Sequence, residues 1–292
     1  MDKKITGIIP PVVTPFDEDG AIDFKKFEAL VQFVLGADVD GVSVGGSTGE
    51  GPTLSDEELV RLIGVVKPML KPTQSLVCGI MRACTRDAVK TGLCARDAGA
   101  DAVMVTPTAY NVLVPDEEGN FTFYKTISDR VDIPVIIYNV IPQNTISPGL
   151  FKRLVDESEH VMGIKQSVGG IASTYQMLMS CKGKGTVFGA TDDMLYSTYE
   201  LGAKGAISAI LSVFPELCVR MWKLYLAGNN GAALELQNKI YEPWQTITGN
   251  QFPIRVKYAL KLLGHDAGFA RSPIVSLSDE EKSRIGEALR KI

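Results

Sequence analysis

A short junction that ends a helix and begins a strand recurs along this chain, and it constrains the fold more than any other feature of the sequence. The junction places glycine, alanine and a polar residue ahead of an apolar run, at 36–42, 99–103 and 202–206. Glycine ends helices readily because it adopts left-handed backbone angles without strain. The copies are unequally spaced, which indicates successive βα units and not the regular period of a solenoid.

Eight strand-then-helix units follow from these junctions and from the apolar periodicity. The predicted strands are 7–16, 41–45, 75–79, 102–105, 134–138, 161–167, 186–188 and 205–208. The predicted helices are 23–35, 55–66, 85–97, 121–129, 148–157, 171–180 and 193–201, with further helices from residue 215 onward. Ser55 and Ser278, each followed three residues later by a glutamate, are predicted to cap two helices, and Thr85 is predicted to cap a third.

Uniformly short, apolar strands separated by helices are typical of a parallel sheet that is buried on both faces. The predicted fold is therefore a closed (β/α)8 TIM barrel with additional C-terminal helices, and an open doubly wound sheet is the alternative. No linker rich in proline, glycine or serine divides the 292 residues. We expect a single catalytic domain, with the barrel at about 1–225 and a helical extension at about 226–292.

The composition argues against several classes of function. A net charge of −4 provides no basic surface for nucleic acid or an anionic membrane, and the apolar runs are far shorter than a membrane span. The amino terminus leads directly into a strand-like run and not into a signal peptide, so a cytoplasmic location is expected. Five scattered cysteines and only two histidines argue against a metal site and against a Ser-His-Asp triad.

Lys165 is the strongest candidate for a reactive group. It lies at the carboxyl end of the predicted sixth strand, and the active site of a TIM barrel lies at the carboxyl ends of its strands. Partial desolvation there would lower the pKa of the ammonium and supply a neutral amine, which can attack a ketone and form a Schiff base. The alternative is an ordinary strand-end lysine whose stem reaches water.

The loop after the second predicted strand offers hydroxyls to a ligand. Residues 45–50 combine glycines with Ser47 and Thr48, and hydroxyls beside free backbone amides suit a small carboxylate. A phosphate loop is disfavoured because the lysine of that motif is absent and Glu50 would repel a phosphate at the start of the next helix. A plain glycine turn is the other alternative.

Two tyrosines and an acidic pair complete the predicted rim. Tyr138 ends the fifth strand and can both donate and accept a proton, unless it is a core tyrosine with a satisfied hydroxyl, and Tyr110 follows the fourth strand. Asp192 and Asp193 follow the seventh strand, where they could bind a polyol or cap the next helix. Ser208 lies in the eighth strand.

Five motifs in chain order resemble the dihydrodipicolinate synthase/N-acetylneuraminate lyase family of class I, pyruvate-dependent aldolases. They are residues 46–50, 107–110, 137–139, 163–165 and 205–208. The resemblance implies that Lys165 forms a Schiff base with C2 of a 2-keto acid, typically pyruvate, whose carboxylate Ser47 and Thr48 hold. Tyr138, helped by Tyr110, would relay protons. The protonated imine would serve as the electron sink, so no metal or organic cofactor is expected.

The resemblance also implies a wider substrate site and an oligomer. Its further substrate-binding residues are Gly46, Ser167, Gly189, Asp192, Ile207 and Ser208. An aldehyde would be joined to pyruvate or released together with it, and a homotetramer is expected from the family.

Within the family, the glycine–hydroxyl loop and the residues after Lys165 are more similar to the N-acetylneuraminate lyase branch. The synthase branch typically has an arginine shortly after the tyrosine strand, and residues 139–144 contain none. A lyase or aldolase of that branch is therefore the predicted function. The alternatives are 4-hydroxy-tetrahydrodipicolinate synthase, a dehydratase of keto-sugar acids and, from another class, a non-catalytic keto-acid sensor.

Overall fold

Eight parallel strands form the centre of the molecule in the computed structural model, which describes residues 4–292. The strands are β1 (Gly7–Ile8), β2 (Gly41–Val44), β3 (Ser75–Ile80), β4 (Ala102–Val105), β5 (Val135–Asn139), β6 (Val161–Gln166), β7 (Thr186–Gly189) and β8 (Gly205–Ala206). Strands β2 to β8 pair with one another in sequence order, and β1 pairs with β8. A parallel bridge between Pro11 and Ser43 joins the segment after β1 to β2. The sheet therefore closes on itself, which confirms the (β/α)8 barrel and excludes the open sheet.

Twelve helices surround or follow the strands within the described residues. They are α1 (Phe24–Gly36), α2 (Asp56–Val66), α3 (Thr85–Asp97), α4 (Glu117–Val131), α5 (Pro148–Glu157), α6 (Gly170–Cys181), α7 (Leu195–Glu200), α8 (Ile210–Val213), α9 (Pro215–Leu226), α10 (Asn230–Ile247), α11 (Phe252–Leu262) and α12 (Asp279–Leu289). The capping boxes predicted at Ser55 and Ser278 are both present. None of these helices is long and apolar enough to cross a membrane.

Three local predictions were wrong. Thr85 is the first residue of α3 and not its cap, because the cap position is occupied by Cys84. Helix α4 begins at Glu117, four residues before the predicted start, since the side chain of Asp116 accepts a hydrogen bond from the amide of Gly119 and caps the helix there. The predicted first strand, 7–16, is a strand only at Gly7–Ile8, because its prolines cannot donate to a ladder.

Apolar side chains fill two separate layers. One cluster lies between the sheet and the surrounding helices, and a smaller one fills the barrel interior. Tyr138 belongs to the interior cluster together with Ile136, Phe188 and Ile207, whereas the intervening Ile137 faces the helices. This alternation directs the side chain of Tyr138 into the barrel near the carboxyl end of β5. The boundary predicted near residue 225 falls at the end of α9, and the single-domain organisation stays a prediction.

Candidate active site

Lys165 lies at the carboxyl end of β6 and is flanked by the two neighbouring strands. It is in register with Tyr138 on β5 and with Phe188 on β7. Its side chain is buried, and its Nζ lies 3.9 Å from the centroid of the Tyr138 ring. Among residues 4–292, no protein group forms a hydrogen bond or an ion pair with that Nζ. The amine is therefore held in place by packing while its nitrogen stays available to a ligand.

The hydroxyl of Tyr138 links β5 to the loop after β2. It donates a hydrogen bond of 3.1 Å to Oγ of Ser47. We call residues 45–51 the hydroxyl loop, since they carry Ser47 and the buried Thr48. The loop is tight: a Cβ on Gly51 would lie 1.9 Å from the carbonyl oxygen of Gly45. Only glycine fits at that position, and the loop is thereby fixed against the strand ends.

One cavity of about 310 Å³ brings most of the predicted site together. Seven predicted residues line it, namely Ser47, Thr48, Tyr138, Lys165, Ser167, Asp192 and Ser208. They come from the ends of β2, β5, β6, β7 and β8, as expected for a barrel rim. The lining joins one amine and one carboxyl group to several hydroxyls, which suits a small, polar, oxygen-rich ligand.

The side chain of Asp192 connects the loop after β7 to the loop after β8. Its Oδ1 accepts hydrogen bonds from the hydroxyl of Ser208 and, at 3.1 Å, from the amide of Ile210. Burial raises the pKa of this carboxyl, and the hydrogen bond from Ser208 and the charge of Lys165 oppose that rise. The neighbouring Asp193 instead accepts a hydrogen bond from Gln245 on α10 at 2.6 Å. Of the two acids, only Asp192 faces the cavity.

The side-chain amides of Asn139 and Gln166 connect the ends of β5 and β6 by hydrogen bonds. Asn139 donates from Nδ2 to Oε1 of Gln166 at 2.9 Å, and its Oδ1 accepts from the amide of Ile146 at 2.9 Å. Gln166 in turn donates to the carbonyl of Val168 and to the hydroxyl of Ser173. Each residue directly follows a cavity residue, so this network fixes the backbone that carries Tyr138 and Lys165.

Four predicted residues do not line this cavity. Tyr110 is 67% exposed and lines an adjacent cavity of about 290 Å³, which shares Ser47 and Val140 with the first. Ile207 is fully buried in the barrel interior, and Gly46 is also buried. At Gly189 a Cβ would lie 2.3 Å from Oγ1 of Thr198, so this glycine allows close packing of β7 and α7. Roles in catalysis for Tyr110 and in binding for the other three stay predictions.

Six residues of the cavity were not identified from the sequence. They are Val140, Ala190, Ala209, Thr248, Gly249 and Phe252. The first three directly follow predicted site residues or strand ends, so the strand-end rule could have found them. Thr248, Gly249 and Phe252 lie at the turn between α10 and α11, beyond the eight βα units, where no pattern in the sequence points to the rim.

No group of three or more histidine, cysteine, aspartate or glutamate side chains within residues 4–292 is arranged to hold a metal ion. Cys78, on β3, is buried, and burial raises the pKa of its thiol to about 12. A thiol with such a pKa is a poor nucleophile near neutral pH. Lys165 supplies an amine and Tyr138 a phenol to the cavity, and their roles in catalysis stay predictions.

Comparison with known proteins gives one consistent family. A model described as the dihydrodipicolinate synthetase family matches residues 4–292. The 4-hydroxy-tetrahydrodipicolinate synthase of Bartonella henselae is 33% identical over 288 residues, which cover 98% of this chain and 97% of the relative.

Two solved structures with pyruvate share the fold. The chloride-inhibited dihydrodipicolinate synthase of Acinetobacter baumannii, complexed with pyruvate, has a TM-score of 0.92 and 30% identity, with 99% of both chains covered. YagE, a prophage protein of the dihydrodipicolinic acid synthase family from E. coli K12 in complex with pyruvate, has a TM-score of 0.93 and 28% identity, with 98% of both chains covered.

The fold is that of a TIM-barrel enzyme, and the match over nearly the whole length narrows its class to the class I, pyruvate-dependent aldolases. The chain belongs to the dihydrodipicolinate synthetase family. The predicted family is thereby confirmed, together with the expectation that the chain is an enzyme.

Proposed function

We propose that this enzyme acts through a Schiff base between Lys165 and C2 of pyruvate. The observation that carries the proposal is the position of Lys165 Nζ. It lies in a polar cavity, 3.9 Å from the ring centroid of Tyr138, and it forms no hydrogen bond or ion pair with the described residues. The two related structures that contain pyruvate support the identity of the keto acid.

The proposed reaction begins with pyruvate bound by its carboxylate to the hydroxyl loop. Ser47 and Thr48 donate hydrogen bonds to the carboxylate, which orients the carbonyl carbon toward Lys165. The amine of Lys165 attacks C2, a proton passes from its nitrogen to the former carbonyl oxygen, and the resulting carbinolamine loses water to give a protonated imine. In the structure the Tyr138 hydroxyl donates to Ser47, which places the phenol oxygen beside the hydroxyl loop. When substrate is bound, the hydroxyl turns to the carbinolamine and delivers the proton that converts its hydroxyl group into leaving water, while Ser47 donates to the carboxylate.

The imine then serves as the electron sink for carbon chemistry. Tyr138, left as a phenolate by that transfer, takes a proton from C3 to give an enamine, whose C3 attacks the carbonyl carbon of an aldehyde and forms the new bond. The phenol then protonates the former aldehyde oxygen, which becomes a hydroxyl. Hydrolysis of the resulting imine releases the product and restores the amine of Lys165. The reverse sequence cleaves the same bond, so one site serves either direction.

The comparisons favour the synthase alternative over the N-acetylneuraminate lyase branch. The curated relative from Bartonella henselae is named 4-hydroxy-tetrahydrodipicolinate synthase, as are relatives in more distant organisms such as Methanocaldococcus jannaschii. We therefore propose 4-hydroxy-tetrahydrodipicolinate synthesis as the first activity to assay, with an aldehyde as the partner of pyruvate.

One observation favours a second candidate, which is cleavage or dehydration of a hydroxylated 2-keto acid. No arginine is among the described residues that line the cavity, whereas Ser167, Ser208 and Thr248 present hydroxyls beside Asp192. A second carboxylate would lack a guanidinium partner there, but a chain of hydroxyls would find several acceptors and donors.

The proposal is tested by reductive trapping. Borohydride added with pyruvate should leave a reduced adduct on the peptide that contains Lys165, and the adduct should be absent in Lys165→Ala. Lys204→Ala is the matched control, because this exposed lysine precedes β8 at the opposite end of the barrel. An adduct elsewhere, or none, would refute the Schiff base.

A panel of aldehydes with pyruvate, and of 2-keto acids scored for pyruvate release, separates the two candidates. If no member of either panel turns over and Lys165→Ala binds keto acids as the wild type does, the sensor alternative is supported. The homotetramer and the cytoplasmic location are further proposals; light scattering of the purified protein tests the tetramer.

A further inference from the structure

A buried ion pair connects α11 to the hydroxyl loop, and the proposed reaction uses neither of its members. Lys257 is only 1% exposed, and its Nζ donates to Oε1 of Glu50 at 2.5 Å. The same Nζ donates to the carbonyls of Thr14 at 2.6 Å and Phe269 at 2.5 Å. Removing two charges from water is unfavourable and is often not repaid by their attraction, so such a pair suggests a role besides stability.

Glu50 is part of the hydroxyl loop and holds its backbone in an uncommon shape. Its φ is +56°, in the left-handed region that few residues other than glycine adopt. Its amide donates to the carbonyl of Ser47 at 3.1 Å, and its Oε2 accepts from the amide of Arg271 at 2.8 Å. A glutamate keeps a left-handed backbone conformation when surrounding contacts hold it there. Here Lys257 donates a hydrogen bond to one carboxylate oxygen of Glu50, and the amide of Arg271 donates to the other.

The chain of contacts from α11 to the reacting groups is short. It runs from Lys257 Nζ to the carboxylate of Glu50, from the amide of Glu50 to Ser47, and from Ser47 Oγ to the hydroxyl of Tyr138. A second chain of hydrogen bonds connects Lys257 to the same loop through Thr14. The carbonyl of Thr14 accepts from Lys257, and Oγ1 of Thr14 donates to the carbonyl of Gly49 at 2.7 Å.

We propose that Lys257 and Glu50 are a positioning pair that sets the hydroxyl loop for binding the carboxylate and for orienting Tyr138. Neither residue lines the cavity, so they act through Ser47 and not on the substrate. Helix α11, which follows the barrel, thereby helps to position the hydroxyl loop. This inference rests on the proposed function for its kinetic consequence, but its structural consequence can be measured separately.

The first test replaces the cation by an uncharged side chain of similar length. Lys257→Met should raise the KM for pyruvate by about 10- to 100-fold, because displacement of a binding group by about 1 Å has effects of that size. It should also lower the melting temperature, since Glu50 would be left buried without its counter-ion. Kinetics are measured at a temperature at which circular dichroism shows the variant to be folded.

A double variant separates positioning from stability. Glu50→Gln combined with Lys257→Met leaves no unpaired buried charge, so the melting temperature should recover most of the loss. The KM should stay raised, because the bond from α11 to the loop is still missing. Leu260→Ala is the control for destabilisation, since this buried residue lies on the same helix outside the chain of contacts. It should lower the melting temperature and leave KM unchanged.

Hydrogen exchange provides a readout that does not depend on turnover. Amides of residues 45–51 should exchange faster in Lys257→Met and in the double variant than in the wild type or Leu260→Ala. The inference is overturned if the double variant regains the wild-type KM together with its melting temperature, if Leu260→Ala raises KM equally, or if loop exchange does not change. Failure of the wild type to form a trapped adduct would instead refute the proposed function, with loop exchange still deciding the role of the pair.

Discussion

Replacing Tyr138 by phenylalanine removes one hydroxyl from the candidate site and little else. The ring stays, so the contact with Lys165 Nζ at 3.9 Å from its centroid and the packing in the barrel interior are retained. What is lost is the 3.1 Å hydrogen bond to Oγ of Ser47 and the group proposed to carry protons during imine formation. The substitution therefore tests the proton relay separately from the fold.

The two losses differ widely in magnitude. A single hydrogen bond between neutral groups contributes about 1 kcal/mol to stability, which shifts the melting temperature of a chain of this size by only about 2 °C to 4 °C. Removal of a general acid–base group slows turnover by about 10²- to 10⁴-fold, equivalent to about 3–5 kcal/mol in the activation barrier. We therefore expect a well-folded variant with a large loss in kcat.

Tyr124→Phe is the matched control. Tyr124 lies on α4, is fully buried and donates one hydrogen bond of 3.1 Å to the carbonyl of Val105, away from the cavity. Both variants are compared by melting temperature, by kcat and by the single-turnover rate of adduct formation with pyruvate. If Tyr138→Phe forms the adduct and turns over within about threefold of Tyr124→Phe, the assignment of the relay to this phenol is wrong.

Two further predictions concern titratable groups. Burial raises the pKa of Asp192 above its usual 3.8, so this carboxyl stabilises the fold below pH 3.8 and loses that contribution as the pH rises through its folded pKa. Asp192→Asn, whose amide oxygen can still accept both hydrogen bonds, should therefore melt at a higher temperature than the wild type at pH 7 but not near pH 4. Equal differences in melting temperature at both pH values would contradict this account. Among the thiols, exposed Cys84 should react with an alkylating reagent in the native protein. Cys78 and Cys218 should react only after denaturant is added, because burial shields both thiols and raises their pKa. Labelling is located by peptide mass spectrometry, and rapid labelling of Cys78 in the native protein would show that the barrel opens.

The barrel was predictable because its physical causes are local. Short apolar strands alternate with amphipathic helices, and only a layered parallel sheet buries both. The first strand was the exception. Pro10 and Pro11 have no amide hydrogen, so the chain there contacts β2 through individual bonds between Val12, Ser43 and the Pro10 carbonyl. The alternation of apolar residues that defines a regular strand does not distinguish this arrangement from a continuous ladder.

The candidate site was predictable where it depends on strand ends. Lys165 and Tyr138 end neighbouring strands in register, and the pleat turns both toward the cavity. Tyr110 lies five residues after the end of β4, in an irregular segment before a short 3-10 helix, Asn111–Leu113. The direction of a side chain in such a segment is set by tertiary contacts. The exposed position of Tyr110 beside the second cavity therefore could not be derived from the periodicity of the sequence.

Glu50 shows most clearly where reasoning from the sequence stops. The sequence indicated only a carboxylate that would repel a phosphate, whereas the structure shows Glu50 buried and paired with Lys257, 207 residues later in the chain. A partial signal exists, because Lys257 shares a helix face with Leu260, and a lysine on an apolar face requires a buried acceptor. With 34 aspartates and glutamates in the chain, that signal does not identify the partner. The tertiary structure identifies it, and in doing so it connects the helices that follow the barrel to the loop that carries Ser47.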